Sequence, residues 1–322
     1  MTDMPTADEG LLATNWPGLN EQFYQSDPYD YFLTRLQLFM LFAGRTEDLA
    51  FLINEGIEFG KVRMGGEGID REALEPSEDD VALRKRFLAA ESEVLLHHTV
   101  ETLLRLYLAH EGLRGCPWLE LSRLRYDFPK AVRGRFGPSG PTPDEGRAFS
   151  APVVLGRTIS EDSGDDLVLA VDHTEHSLRT FAAVFTEGAN RYNAAKHGLS
   201  VVPVEAASLA ISPAAEDVGS LRVDGPAIHF LEKTKEPPRW QLTTAWIDIE
   251  RNLALQYVAT LLILNIWTVA RARYADGPTS GEMLVLPMPV RELLADPSHG
   301  PIKSFSRHLA YDLDVRPDLR PG

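Results

Sequence analysis

Cysteine is almost missing from this chain of 322 residues. Cys116 is the sole cysteine in the sequence, so no disulfide can form within the chain. Disulfides are typical of oxidising compartments. The first residues, MTDMPTADEG, also lack the basic start and the apolar core of a secretory signal. Both features predict a reducing, cytoplasmic location, and the apolar residues around Cys116 predict a buried, inert thiol.

Positive charge is scarce as well. The chain has 32 Lys and Arg against 47 Asp and Glu, which gives a net charge of −15. Non-specific binding to nucleic acid depends on clustered Lys and Arg that neutralise phosphates. The composition therefore argues against bulk DNA binding. A run of basic side chains between Arg123 and Arg135 fits either a solvated surface or a local RNA site.

Long uncharged runs are also rare, and one of them is nearly long enough for a membrane-spanning helix. The stretch 253–270, LALQYVATLLILNIWTVA, has 18 residues without a charge. A membrane-spanning helix needs about 20 predominantly apolar residues. This stretch contains Gln256 and Asn265, and Arg271 follows it directly. It predicts a helix buried in the core of the protein and no membrane span.

The common cofactor motifs are missing. The sequence has no Walker-type glycine loop, no dinucleotide fingerprint and no nucleophile elbow. The run 64–68, MGGEG, is rich in glycine but lacks the Lys-Ser/Thr ending of a phosphate loop. We therefore predict no cofactor.

The apolar periodicity that is present predicts a mainly α fold. We expect a multi-helix bundle with a small antiparallel β-sheet insertion, an α+β arrangement. The predicted organisation is a mobile N-terminal segment over 1–28, a helical bundle over 29–200 with an irregular insertion over 112–170, a small antiparallel sheet over 201–246, a buried helix packing on the bundle over 247–274, and a mixed C-terminal segment over 275–322.

The stretch 191–198, RYNAAKHG, holds the strongest functional signal. Asn193 and His197 lie four residues apart, so they are neighbours on one polar stripe of a helix. A purely structural interpretation is available: Glu187 and Arg191 form an i,i+4 ion pair, and Gly198 ends the helix. A functional interpretation is metal-independent RNA cleavage. His197 would act as general acid or base, Arg191 would hold the phosphate, and Asn193 would orient the reacting groups.

This stretch resembles the HEPN superfamily, in which an Arg and a His near a helix end are separated by four to six residues. Arg191 and His197 match that pair, with Tyr192 in the place where a polar residue commonly follows the Arg. The resemblance covers the helices around 79–112 and 173–198. It implies a helical domain that forms a homodimer with the motifs at the interface. Many such proteins are ribonucleases of toxin, defence or RNA-processing systems, and others are non-enzymatic binding or regulatory modules.

A second polar pair interrupts an apolar stripe earlier in the chain. His97 and Glu101 lie four residues apart among leucines and valines, and buried polar groups need partners. One interpretation is a satisfied core pair or an ion pair between Glu101 and Arg105. Another gives His97 and Glu101 a supporting role, orienting the Arg and His of the 191–198 stretch. A third adds Glu93 as a metal ligand, and we predict no metal.

Two functions follow as hypotheses. The favoured one is a HEPN-like, non-enzymatic interaction or regulatory module in a defence or toxin–antitoxin context, acting on a protein partner. The acidic composition and the displacement of the polar residue by Tyr192 favour it. The alternative is a metal-independent endoribonuclease with a composite site of Arg191, Asn193 and His197.

Overall fold

The structure is a computed structural model that describes residues 13–45, 48, 55–64, 78–160, 163–196, 201–211, 221–233, 240–290, 292 and 307–312. In these residues the chain is mainly helical and carries small antiparallel sheets. The predicted fold class, mainly α with a small antiparallel sheet, is confirmed.

Five of the helices described below have a proline in the first turn or begin after a capping side chain. The helix bounds are α1 Trp16–Phe23, α2 Pro28–Gly44, α3 Glu78–Glu111, α4 Pro117–Phe136, α5 Pro143–Ser150, α6 Asp165–Lys196 and α7 Ile249–Tyr274. Proline stands in the first turn of α1, α4 and α5, where its missing N–H leaves no bond unmade. At α7, the Arg251 N–H donates to Asp248 Oδ1 at 2.9 Å, so Asp248 is the predicted cap.

Within the described residues, the strands form three antiparallel sheets. Their bounds are β1 Ile57–Phe59, β2 Val62–Met64, β3 Val201–Ile211, β4 Leu221–Lys233, β5 Trp240–Trp246, β6 Ser280–Val285 and β7 Arg307–Asp312. The largest sheet has the order β3-β4-β5, with a register shift between Val204 and Ala207. It is the antiparallel meander predicted over 201–246. The strands β1 and β2 pair as a hairpin, as do β6 and β7.

The chain divides into two units. The first unit comprises residues 1–33, 98–187 and 254–322. Its core is built from large side chains that are buried on α3, α4, α6 and α7: Leu103, Tyr107, Phe128, Leu178, Phe181, Leu262 and Ile263. The helical spacing of these positions gives each helix one apolar face, which is the pattern expected of a bundle.

The second unit comprises residues 34–97 and 188–253. One cluster joins the inner face of the β3-β4-β5 sheet to the helices: Ala89, Ala195, Val201, Ile228, Phe230 and Ile247. Another cluster packs Phe39 of α2 against Leu88 and Leu95 of α3. The sheet has an inner and an outer face because successive side chains along each strand point to opposite sides.

The structure differs from the predicted organisation in three places. In the segment 1–28, predicted as mobile, residues 1–12 lie outside the described residues, and the part that follows contains α1, in which Phe23 stacks on Trp118 and meets the Trp267 ring edge-on. The segment 112–170, predicted as irregular, contains α4, α5 and a π-turn over Ala151–Leu155. The bundle range 29–200 also includes the β1–β2 hairpin, where Gly60 turns the chain at φ +59°.

Helix α7 is the apolar stretch tested for a membrane span. It is long and apolar enough to cross a membrane, and 78% of its apolar window is buried within the protein. The core helix of a globular protein meets the same criteria of length and composition. In the first unit the Asn265 amide donates to the Leu284 carbonyl at 2.7 Å, so a polar side chain of α7 is used inside the fold.

Candidate functional site

The predicted site residues fall on the end of α6 and on α3. Arg191 and Asn193 lie in the last turns of α6, which ends at Lys196. His97 lies on α3 in the same unit. His197 lies outside the described residues. Glu101 forms an ion pair with Arg105 at 2.8 Å, so one of its two structural interpretations is confirmed.

Arg191 is paired with a carboxylate that the sequence did not assign to it. Its Nε lies 3.3 Å from Oε2 of Glu93 on α3. Sequence spacing placed its partner one turn back at Glu187. Among the described residues, the buried Nε makes no hydrogen bond of good geometry, so the contact is an ion pair held by charge. The Arg191 side chain is 37% exposed and that of Glu93 is 7% exposed.

Glu93 is fixed from a second side by α7. The Asn252 amide donates to Glu93 Oε1 at 3.1 Å and to the Ser92 hydroxyl at 3.2 Å. Glu93, Ser92 and Asn252 are all buried. A buried carboxylate needs both a counter-charge and hydrogen-bond donors, and Arg191 and Asn252 supply them. Sequence reasoning missed Asn252 because it lies 159 residues from Glu93.

His97 lies against the face of Tyr192. The two rings are stacked, with centroids 4.0 Å apart and planes 10° apart. His97 is 4% exposed. Tyr192 therefore fills a packing role at the position where the resemblance expects a polar residue. The Lys196 ammonium also lies 5.1 Å from the Tyr192 ring centre, within cation–π range.

Gly188 sits between the imidazole and the guanidinium. A methyl group at this position would lie 3.6 Å from Nδ1 of His97 and 3.7 Å from Nη2 of Arg191. Both distances are ordinary van der Waals contacts. His97 and Arg191 thus line the same short stretch of α6, and the structure brings these two predicted residues together.

Asn193 is not part of that arrangement. It is exposed, and residues two positions apart on a helix do not face each other. The composite site of Arg191, Asn193 and His197 stays a prediction, since His197 lies outside the described residues. Arg191 lies beside Glu93 and, at Gly188, beside His97.

The described acidic and histidine side chains of α3 that the sequence singled out, Glu93, His97 and Glu101, have protein partners in the structure. Among the residues that the structure describes, no three His, Cys, Asp or Glu side chains gather closely enough to hold a metal ion. Glu93 contacts Arg191 and Asn252, and Glu101 contacts Arg105. These contacts engage both carboxylates with protein donors.

The first unit holds a buried charged network that was not predicted from the sequence. Arg135, at the end of the basic run 123–135, is 6% exposed. Its Nη1 and Nη2 donate to the two carboxylate oxygens of Glu175 at 3.1 and 2.9 Å, and its Nε donates to Glu111. The Tyr107 hydroxyl accepts from Nη2 at 2.7 Å. The end of the basic run is therefore internal, and Arg135 does not belong to a solvated surface or an RNA site.

The pKa values in this network follow from burial and pairing. Burial lowers the pKa of Arg135, but hydrogen bonds to Glu175 and the neighbouring negative charges outweigh it and raise the pKa. Burial, together with the charge of Glu111, raises the pKa of Tyr107. Both shifts favour the protonated forms, a cationic Arg135 and a neutral Tyr107.

A buried histidine lies elsewhere in the first unit. His110 Nδ1 lies 2.6 Å from the Leu106 carbonyl, so that nitrogen carries the proton. Nε2 then accepts from the Tyr24 hydroxyl at 2.6 Å. Burial lowers the pKa of His110 to about 4. The imidazole is neutral near pH 7 and completes the packing of Tyr24 and Tyr274.

The comparisons with known proteins give no relative. No family model, curated protein or solved structure matches this chain.

Proposed function

We propose that this protein is a non-enzymatic, HEPN-like interaction or regulatory module that works in the cytoplasm through a protein partner. The observation that supports it best is the ion pair between Arg191 and Glu93. A defence or toxin–antitoxin context and a homodimer, both implied by the resemblance, belong to the same proposal.

The negative charge of Glu93 in this ion pair argues against a catalytic role for Arg191. In the endoribonuclease hypothesis, the positive charge of Arg191 must face the phosphate as negative charge develops on it. Here a buried carboxylate lies 3.3 Å from the guanidinium and compensates that charge. A phosphate approaching Arg191 would also approach Glu93, and like charges repel. This arrangement favours a structural role for Arg191, which anchors the end of α6 to α3.

The outer face of the β3-β4-β5 sheet offers a surface for a partner. Val202, Leu231 and Leu242 are 63%, 64% and 68% exposed. Leu231 pairs directly with Leu242, and Val202 pairs with His229, two residues before Leu231 on β4, so the three aliphatic side chains lie on one face of the sheet. Contiguous exposed apolar groups on a sheet are typical of protein–protein contacts.

The first experiment tests catalysis. Purified wild type, Arg191→Ala and His197→Ala are incubated with RNA in EDTA, and intact RNA is measured over time. We expect no cleavage by any of them. We also expect Arg191→Ala to unfold about 1–3 kcal/mol more easily, because Glu93 loses its counter-charge. Cleavage that survives the chelator and disappears in both variants would replace the proposal with the endoribonuclease.

The second experiment tests the partner surface. Tagged wild type, the double variant Leu231→Lys/Leu242→Lys, and Leu169→Lys are cross-linked in cells, and captured proteins are quantified. Leu169 is the control because it is an exposed leucine, at 48%, on α6 in the first unit. We expect the same partner with wild type and Leu169→Lys, and its loss with the double variant. Equal capture by all three would remove the sheet face from the proposal.

A further inference from the structure

The side of α4 that faces away from the core carries aromatic and basic residues. Phe128 and Val132 are buried on the opposite side of the helix. The exposed residues recur at helical spacing, so they form one stripe, which runs for about 22 Å along the helix. This stripe, called the α4 face below, comprises Trp118, Ser122, Tyr126, Lys130 and Arg133, with Arg125 at its edge.

The basic side chains of the α4 face have no carboxylate partner. In the described part of the chain, the basic residues of α4 that form ion pairs are Arg123 and Arg135. Arg125, Lys130 and Arg133 are exposed and form none there. The whole chain has 47 Asp and Glu against 32 Lys and Arg. The α4 face is therefore a local patch whose sign is opposite to that of the whole chain.

Two aromatic rings give the α4 face an apolar component. Tyr126 is 84% exposed, and the Arg125 guanidinium lies 5.5 Å from its ring centre. Trp118 is 38% exposed and stacks on Phe23 of α1, which holds the indole in place. Tryptophan, tyrosine and arginine are the residue types most enriched among those that dominate the energy of protein–protein binding. The composition of the α4 face is thus that of a protein-binding surface.

We propose that the α4 face binds an acidic segment of a partner protein, whose apolar side chains cover Trp118 and Tyr126. Carboxylates of the segment would pair with Lys130 and Arg133, and arginine binds a carboxylate through two parallel hydrogen bonds. At physiological salt, charges farther away than about 8 Å are largely screened, so the segment would respond to these cations more than to the net charge of −15. The inference rests on the function proposed above and adds the chemistry of a partner.

Charge distinguishes this occupant from two others. A two-fold contact between two copies through the α4 face would set the cations of one copy against those of the other. A nucleic acid carries phosphates along its whole length, so it would extend beyond this face over an acidic protein. The exposed Asp127 lies only about 100° around the helix from Tyr126. A short segment that combines carboxylates with apolar side chains matches both components of the face.

The test titrates labelled peptides into the full chain and follows fluorescence anisotropy. Each peptide has about 15 residues, which as a helix matches the length of the α4 face. The acidic peptide consists of Glu with Leu and Phe at helical spacing. One control has Gln in place of Glu, and the other has Ser in place of Leu and Phe.

We expect a Kd on the order of 100 μM or tighter for the acidic peptide at about 100 mM salt. Both controls should bind about tenfold more weakly, because each lacks one of the two components that the face recognises. Equal binding of the acidic peptide and either control, or no binding of the acidic peptide, would overturn the proposal.

Two double variants with the same change in net charge locate the site. Lys130→Glu/Arg133→Glu reverses the charge of the α4 face, and Lys61→Glu/Arg251→Glu reverses two exposed cations of the second unit. The first should weaken the acidic peptide more than about tenfold, and it should bind a peptide with Lys in place of Glu about tenfold better than wild type does. The second should match wild type with both peptides. Equal effects of the two double variants would overturn the site.

Tyr126 tests the apolar component without a change of charge. Tyr126→Ser should weaken the acidic peptide several-fold, whereas Tyr126→Phe keeps the ring and should bind it as wild type does. The side chain is 84% exposed, so both variants should fold, which far-UV circular dichroism checks. Unchanged affinity in Tyr126→Ser would overturn the contact with the aromatic ring.

Nucleic acid is the competing outcome. A labelled oligouridine of about 15 nucleotides is titrated under the same conditions, and we expect it to bind more weakly than the acidic peptide. If it bound more tightly and lost that binding in Lys130→Glu/Arg133→Glu, the α4 face would be a nucleic-acid site and the proposal would be overturned. RNA cleavage in EDTA decides the function proposed above without any peptide, so the two proposals can fail separately.

Discussion

Glu175 of α6 is the residue on which the buried charges of the first unit converge. Its side chain is 0% exposed, and it accepts from Arg135, Arg179 and Ser150. Removing one partner of a buried ion pair leaves the other charge uncompensated. We therefore expect Glu175→Gln to lower the free energy of unfolding by about 3–5 kcal/mol, measured by urea denaturation.

The matched control for Glu175 is an exposed carboxylate. Asp144 is 84% exposed and lies 3.3 Å from Arg147. Asp144→Asn should change the free energy of unfolding by less than about 1 kcal/mol, since exposed ion pairs contribute little. If Glu175→Gln lowered the free energy of unfolding as little as Asp144→Asn, the buried network would not stabilise the first unit.

His110 makes stability depend on pH. Its pKa is about 4 in the folded protein because of burial, against about 6.5 in an unfolded chain. Above about pH 6.5 both states are neutral and stability is complete. As pH falls from there towards 4, the unfolded state binds a proton that the folded state does not, so stability decreases by an amount on the order of 3 kcal/mol.

The measurement is urea denaturation between pH 7 and pH 4.5. His110→Gln should be less stable than wild type at pH 7 and should lose less stability on acidification. His176→Gln changes a histidine that is 43% exposed, and its free energy of unfolding should fall with decreasing pH as steeply as that of wild type. If the free energy of unfolding of His110→Gln fell equally steeply, the prediction would be contradicted.

At the scale of the element, packing around helix α5 reverses the stabilisation that replacing a helical glycine with alanine usually brings. Glycine inside a helix usually costs about 0.5–1 kcal/mol relative to alanine. At Gly134 of α4 a methyl group meets nothing within 4 Å, whereas at Gly146 of α5 it would overlap the Glu175 carboxylate. Gly134→Ala should raise the melting temperature and Gly146→Ala should lower it. A rise in both would show that the carboxylate can move aside.

The long helices are the elements that the sequence predicts well. The pattern of α3 ends at Glu111 before Gly112, and α7 begins after its cap Asp248. These signals are local, so they can be read without the rest of the fold. α1 and α4 were missed because proline and glycine dominate their surroundings, while the contacts that hold them lie far away in the sequence, as between Phe23 and Trp267.

At the scale of the whole molecule, the net charge leads to a prediction about DNA binding. With a net charge of −15, the protein should not bind random DNA. Fluorescence anisotropy of a labelled duplex should stay flat up to high micromolar protein, at about 50 and about 150 mM salt alike. Binding that appears at low salt and weakens as salt rises would reveal a basic surface that the overall charge conceals.

Part of the candidate site was predicted from the sequence, and part is visible only in the structure. The sequence named Arg191 and His97 because their neighbours have helical spacing, and the structure brings them together beside Gly188. It did not name Asn252 as the second partner of Glu93, because the two are 159 residues apart. The ion-pair interpretation of Arg191 therefore holds with a different partner, Glu93 in place of Glu187.

By itself the sequence determined what depends on local or summed properties. These are the mainly α class, the meander over 201–246, the lack of disulfides and the acidic character. The tertiary structure decided which charges meet, as Arg135 meets Glu175 across 40 residues and Arg191 meets Glu93 between two helices. The reason is physical: periodicity fixes the face on which a side chain lies, but its partner depends on how distant elements pack.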